Sequence, residues 1–278
     1  MIQPSTTISA TTPQAEIATA PIPEAEMQKI KARVFDRLAE LPHAYHNLAH
    51  TKDRVLPCAI EYAREARLSP VDAQLLELAA LYHDDQHAGA TYRQLVRYVI
   101  GPRHSNEELA AIQAIDETKD LLSAAQSNIL RDAILATSFG QNQIDKLPAE
   151  HVELLYRPYK PVTQIEKLLA FADVSNYRYG LVPFLQDNLS LIKESGADGI
   201  PETFADFIKT RFGLLGYVES KLNDVAEYFR LEFYNQLTGQ LDCVRQELSG
   251  LNKTPEIYAG WETVFNKVRS ERLQELAA

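Results

Sequence analysis

Apolar residues recur at intervals of three or four along most of this chain. The stretch 24–41 predicts an amphipathic helix, because lysine and glutamate separate its apolar positions and Pro42 ends it. No stretch alternates convincingly with a period of two, so the fold class is predicted to be all-α. Further helices are predicted over residues 71–82, 124–138 and 163–178, through the region that follows Pro201, and from Thr254 onward.

The stretch 71–82 predicts a helix that is buried around most of its circumference and that runs directly into His83 and Asp84. Ser69 and Pro70 suit the start of this helix as its cap and its first residue. Both polar side chains leave the helix from apolar faces. A buried carboxylate is stable only when it is paired, hydrogen-bonded or bound to a metal. We therefore expect distant parts of the chain to supply these partners.

From Pro201 to Leu248 the apolar positions keep a helical period, with Gly213, Gly216 and Gly239 as candidate breaks. Such a long stripe predicts either a core face or the seam of a homodimer formed through the C-terminal helices.

Composition narrows the class of protein. Of the 278 residues, 45% are hydrophobic and 24% are charged, and no run approaches the ~18 apolar residues of a membrane helix, so a protein with no membrane partner is expected. The net charge of −10 argues against nucleic acid as a partner. The two cysteines, Cys58 and Cys243, lie far apart and outside any metal-ligand spacing, which fits a reducing, cytoplasmic location.

Side chains suited to a divalent metal come from three predicted helices. Neutral imidazoles and carboxylates on rigid elements can hold such an ion and leave positions open for water or substrate. The bound metal would lower the pKa of its water and polarise a phosphoryl oxygen, while a neighbouring acid protonates the leaving group. His46 lies four residues before His50, so on a helical segment both rings would point the same way. The candidate ligands are His50, His83, Asp84 and Asp173.

The order of these residues resembles the HD superfamily of metal-dependent phosphohydrolases, whose members are all-α. Residues 45–50, Tyr-His-Asn-Leu-Ala-His, are similar to the Tyr-His-Asn-x-x-His element of cyclic nucleotide phosphodiesterases and of a group of small bacterial HD proteins. Residues 83–89 are similar to the phosphodiesterase His-Asp-x-x-His-Pro-Gly element, and residues 106–108 to the Asn-Glu-Glu of the bacterial group. The resemblance covers roughly residues 25 to 180.

The resemblance implies a role for each residue. His46 would be the general acid, and His87 would hydrogen-bond near the metal-bound water or help to hold a second metal. Glu107 or Glu108 would line the site as a base or a positioning group. The metal ligands would be His50, His83, Asp84 and Asp173.

The chain departs from the bacterial group at two places. Ala110 stands where that group often has serine, and residues 137–139 are Thr-Ser-Phe where it has Thr-x-His. These departures leave the number of metal ions and the substrate class open.

We accordingly predict three parts of the chain. Residues 1–22, rich in serine, threonine, alanine and proline, are expected to form a disordered tail. Residues 23–180 would form an HD-type helical bundle with hydrolase activity, and residues 181–278 a helical extension packed on the same domain.

The predicted function is hydrolysis of a nucleotide or another small phosphate ester by a metal-activated water. The divalent ion could be Mn, Fe, Co, Ni, Zn or Mg. Two alternatives stay open: a catalytically silent regulator that binds a nucleotide or a partner, and a diiron oxygenase on the same scaffold. The oxygenase needs further histidine ligands between the His-Asp pair and Asp173, for which His87 and His104 are the candidates.

Overall fold

The computed structural model describes residues 20–87, 106–138 and 160–277. Within these ranges the chain is helical and contains no strand, which confirms the predicted all-α class. The α-helices are α1 (Glu24–Glu40), α2 (Leu48–His50), α3 (Leu56–Glu65), α4 (Pro70–Tyr82), α5 (Asn106–Thr118), α6 (Ala124–Leu135), α7 (Gln164–Asp173), α8 (Leu181–Glu194), α9 (Phe204–Val225), α10 (Leu231–Gly250) and α11 (Pro255–Ala277).

Helix α4 starts with the predicted cap and is buried as its sequence indicates. Ser69 accepts a hydrogen bond from the backbone N–H of Asp72, and Pro70 occupies the first turn. Helices α3, α6 and α7 cover α4. The backbone continues in tight turns beyond Tyr82, so that His83 leaves the helix inside the bundle with only 1% of its surface exposed.

Helix α7 lies at the centre of the packing. It contacts α3, α4 and α6 and also α9 of the C-terminal part. Leu168, Leu169 and Phe171 are completely buried, and the Phe171 ring stacks on Tyr62 of α3 with centroids 5.0 Å apart. Asp173 is the last residue of α7, and its carboxylate therefore emerges beside the end of α4.

The C-terminal helices share this core. Phe229 and Phe233 pack on Tyr62 at centroid distances of 5.4 and 6.1 Å, and α8 packs against α11. In the described ranges, none of the helices is both long enough and apolar enough to cross a membrane.

Several predicted helix boundaries differ from the structure, and the helix expected over 124–138 ends at Leu135. The helix expected over 163–178 ends at Asp173, because Val174 leaves the helical region (φ −100°, ψ 8°) and the chain tightens into a 3-10 turn. The apolar stretch after Pro201 breaks at the 3-10 turn Ala226–Tyr228 rather than at a glycine.

Gly213, Gly216 and Gly239 all lie inside exposed positions of long helices. A helical glycine costs only about 1 kcal/mol relative to alanine, and burial of the apolar face outweighs that cost.

The structure corrects one residue of the predicted tail. Ile22, assigned to the tail, is buried, and its backbone N–H and C=O are both hydrogen-bonded by the Gln74 side chain, at 2.6 and 2.9 Å. Residues 1–19 of the predicted tail lie outside the described residues.

Candidate metal centre

Three of the four side chains expected to bind a metal, His50, His83 and Asp173, bring ligand atoms within 4.8 Å of one another, and Asp84 adjoins the two histidines. Nε2 of His50 lies 3.1 Å from Oδ1 of Asp173 and 3.6 Å from Oδ2 of Asp84. Nε2 of His83 lies 3.4 and 3.2 Å from the same two oxygens. Donors about 2.1 Å from one ion are separated by about 3.0 Å in an octahedral site and about 3.4 Å in a tetrahedral one. These atoms therefore have the spacing of neighbouring ligands around a single divalent ion.

Asn47 sets the position of His50. Its Oδ1 accepts the backbone N–H groups of Ala49 and His50, and its amide donates to two carbonyl groups just upstream. This cap starts helix α2 at Leu48, which leaves His46 outside the helix. The predicted shared helical face is therefore wrong, and the two rings instead meet edge to face with centroids 6.2 Å apart.

The donor atoms fit a cation. Nε2 of His83 and Oδ2 of Asp84 are buried and have no hydrogen-bond partner among the residues that the structure describes. Nδ1 of His83 donates to the carbonyl oxygen of Ala80 at 2.9 Å, so in the neutral form of the ring, which is the form that binds metal, the lone pair lies on Nε2. Two carboxylates and one divalent cation also sum to zero charge, which would offset the burial of both carboxylates.

The ionisation of the carboxylates suits metal binding. Burial alone raises the pKa of Asp173, but the neighbouring His50 and His83 side chains lower it to about 2. Burial likewise raises the pKa of Asp84, and the charges of His83 and His46 bring it well below the usual range. Burial lowers the pKa of His83, but the charges of Asp84 and Asp173 outweigh burial and raise it well above the usual value as long as no cation shares the site. Both carboxylates are thus ionised at neutral pH.

A second group of side chains, His46, His87 and Glu194, lies beside this point and could also hold an ion. Oε2 of Glu194 lies 2.5 Å from Nδ1 of His46. Its Oε1 accepts the backbone N–H of His46 at 3.0 Å and that of Tyr45. The His87 ring stacks on His46, with centroids 3.8 Å apart and planes 15° from parallel. Since Glu194 engages Nδ1 of His46, the Nε2 atom remains for proton transfer.

The two stacked rings differ in their protonation. Burial lowers the pKa of His46, but the charge of Asp84 and the hydrogen bond to Glu194 raise it above the usual value. Burial and the positive charge of His46 lower the pKa of His87 to about 3. His87 is therefore neutral, and the Nδ2 group of Asn106 lies 2.9 Å from its Nε2 atom.

The segment that carries the His-Asp pair is anchored from helix α1. Nη2 of Arg37 lies 2.5 Å from Oδ2 of Asp85, the residue that follows the pair. Gln86 then adopts a positive φ of 71°, a strained conformation that turns the chain so that the N–H of His87 bonds the carbonyl oxygen of Asp84.

The prediction that Glu107 or Glu108 lines the site is supported by position only for Glu107. Glu107 is buried in the first turn of α5, next to Asn106, which contacts His87. His104 lies outside the described residues.

Two acidic residues near the site were not predicted. Glu194 and Asp187 both belong to helix α8, more than a hundred residues from the histidines, and no local motif marks them. Asp187 pairs with Arg54 at 3.4 Å and lines, together with His50, a cleft of about 230 Å³. Burial raises the pKa of Asp187, and the positive charge of Arg54 acts against that rise.

Comparisons with protein-family models, with curated proteins and with solved structures found no match to this chain. The function is therefore inferred from the side chains of the site.

Proposed function

We propose that the protein is an HD-type metal-dependent phosphohydrolase that acts on a nucleotide or another small phosphate ester. The observation that carries the proposal is the convergence of two imidazoles and two carboxylates, with a hydrogen-bonded histidine beside them. This combination offers a cation site and a proton donor within one buried centre.

Each residue has a part in the proposed reaction. His50, His83, Asp84 and Asp173 would hold the divalent ion, which when bound supplies a Lewis acid and an activated water. His46 would give its Nε2 proton to the leaving oxygen of the ester. Glu194 orients the His46 ring through Nδ1 and favours its protonated form.

The cluster of His46, His87 and Glu194 also bears on the oxygenase alternative, because a dinuclear enzyme needs a second ion near the first. However, both Glu194 oxygens are already engaged, one by two backbone N–H groups and the other by the His46 ring. An orienting role for Glu194 is therefore favoured over metal ligation.

The proposal is tested by elemental analysis of the purified protein, followed by a phosphate-release screen across nucleotides and simple phosphate esters with the metal found. We expect Asp84→Ala to lose metal and activity together. We expect His46→Ala to keep the metal and to lose about 10²- to 10⁴-fold in kcat, because only the chemical step needs the acid.

Asp53→Asn is a suitable control, since Asp53 is an exposed carboxylate only three residues from His50. Full turnover in His46→Ala would overturn the role of that residue. A metal-loaded protein that releases no phosphate from any ester would favour the silent regulator, and oxygen consumption by an iron-loaded protein would favour the oxygenase.

A further inference from the structure

His83 and His50, the two histidines of the proposed metal centre, differ in the hydrogen-bond partner of Nδ1. Nδ1 of His83 donates to the carbonyl oxygen of Ala80. Nδ1 of His50 is buried and has no hydrogen-bond partner among the described residues. A histidine that binds metal through Nε2 carries a proton on Nδ1, and that N–H almost always donates to a carboxylate, a carbonyl group or a water. His50 therefore needs an acceptor that is not in direct contact with it.

The cleft beside His50 contains two carboxylates, the exposed Asp53 and the half-buried Asp187, and Asp187 is the candidate acceptor. His50, Asp187, Arg54 and Ser190 are among the residues that line its volume of about 230 Å³. A water molecule occupies about 30 Å³ in the liquid, so the cleft has room for several, and its polar lining gives each of them partners. The Arg54 guanidinium lies 3.4 Å from Oδ2 of Asp187 and keeps that carboxylate at the cleft.

Helix α8 places one carboxylate beside His46 and another beside the cleft that His50 lines. Asp187 and Glu194 are seven residues apart, which is two helical turns, so they share one face. Glu194 bonds the ring of His46 directly. Asp187 lines the cleft next to His50, which follows His46 by four residues. One helix face thus offers an acidic partner to each histidine of the Tyr-His-Asn-Leu-Ala-His element.

We propose that Asp187 is a positioning residue for His50, accepting its Nδ1–H through a water in this cleft while Nε2 binds a divalent ion. The inference rests on the metal site of the proposed function and does not depend on the substrate. Asp187 belongs to the C-terminal part, outside the stretch that resembles the HD superfamily, so the extension completes the metal centre.

The test is the affinity of the full-length protein for Co²⁺, measured by competition with a chelator. We expect Asp187→Ala to weaken Co²⁺ binding about 10- to 100-fold, the usual effect of removing such an outer partner. Asp53→Ala removes a carboxylate from the same cleft at an exposed position, and we expect it to stay within about twofold of the wild type. Equal affinity in Asp187→Ala and the wild type, or equal weakening by both substitutions, would overturn the proposal.

A second measurement needs no folded variant. In the Zn²⁺-loaded wild type labelled with ¹⁵N-histidine, we expect NMR to show a slowly exchanging Nδ1–H on His50. A rapidly exchanging His50 signal in the wild type would contradict the bridging water.

These results are separable from the proposed activity. Co²⁺ binding that depends on Asp187 in a protein without phosphate release would retract the hydrolase and keep this inference. Phosphate release with unchanged Co²⁺ affinity in Asp187→Ala would do the reverse.

Discussion

At the scale of the residue, His46 and His87 show how little separates two roles. Their rings are stacked 3.8 Å apart, yet the pKa of His46 is raised and that of His87 is lowered to about 3. Glu194 hydrogen-bonds the His46 ring, and this contact favours its protonated form. His46 can therefore serve as an acid, while the neutral His87 supports it from one face.

Replacing Glu194 tests whether its carboxylate keeps His46 protonated. In Glu194→Gln we expect kcat to fall about 10- to 100-fold at unchanged metal content, since the amide no longer stabilises the imidazolium. Because the pKa of His46 then falls, the alkaline limb of the kcat profile should move to lower pH. Kinetics across pH, with elemental analysis, measure both effects.

Glu232→Gln, at an exposed position of α10, is the matched control and should leave kcat and the profile unchanged. An unaltered pH profile in Glu194→Gln would show that Glu194 does not govern the His46 proton.

The sequence allowed site residues to be predicted where they stand in short motifs, and it gave no sign of the site residues outside such motifs. His46, His50, His83 and Asp84 stand in short motifs, and their convergence with Asp173 could be predicted from residue type and order. Glu194 could not, because its contact with His46 spans 148 residues and depends on how α8 packs. The relation between His46 and His50 was mispredicted, since the cap at Asn47 begins the helix at Leu48 and leaves His46 outside it.

At the scale of the element, Glu117 of α5 ties helix α1 to the bundle. Its carboxylate accepts a hydrogen bond from Tyr82 at 2.7 Å and pairs with Arg33 and Arg37 of α1, each at 2.8 Å. Burial alone raises the pKa of Glu117, but the hydrogen bonds from Tyr82 and Gln113 and both arginine charges bring it below the usual value.

Glu117→Gln should therefore destabilise the fold in a pH-dependent way. A lowered pKa in the folded state means that the stabilisation is complete above the unfolded-state pKa and is lost as the pH falls through the folded-state value. We expect a loss of about 1–3 kcal/mol in the free energy of unfolding at pH 7 and a much smaller one near pH 3, measured by denaturant titration.

Asp116→Asn is the control for this prediction, because Asp116 is the exposed neighbour of Glu117 and pairs with Lys119 on the surface. We expect it to change the free energy by less than about 0.5 kcal/mol. A loss in Glu117→Gln that is equally large at both pH values would contradict the assigned role of the charge.

Helix positions were predictable where caps and apolar periods agree, as at Ser69 and α4. Helix positions could not be predicted where the conformational preference of a residue disagrees with the packing of its helix. Three glycines that favour breaks remain inside α9 and α10, because the apolar faces of these helices are buried against the rest of the core.

At the scale of the whole molecule, the candidate metal centre joins parts that are far apart in the chain. Its candidate ligands come from α2, the end of α4 and the end of α7, and Glu194 is added by α8. The all-α class could be predicted from periodicity alone. The packing that unites these ends could not, since periodicity gives the buried face of a helix but not its partner.

An ion that binds only the folded chain should raise its thermal stability. At a concentration 100 times the Kd, binding adds about 2.7 kcal/mol, which for a chain of this size corresponds to about 5 °C in Tm. We expect at least one of Mn²⁺, Fe²⁺, Co²⁺, Ni²⁺, Zn²⁺ and Mg²⁺ to produce such a shift in calorimetry of metal-stripped protein.

Asp173→Asn should abolish that shift, whereas Asp224→Asn, at an exposed position of α9, should preserve it. A Tm that no ion raises would remove the basis for a metal centre.

The seven-residue interval between Asp187 and Glu194 constrains how this chain can vary. A helix rises 1.5 Å and turns 100° per residue, so one inserted or deleted residue within α8 would swing one carboxylate about a quarter-turn from its histidine. The intervening side chains could change freely as long as they preserve the helix and its packing. Variation in this segment should therefore alter its composition and spare its length.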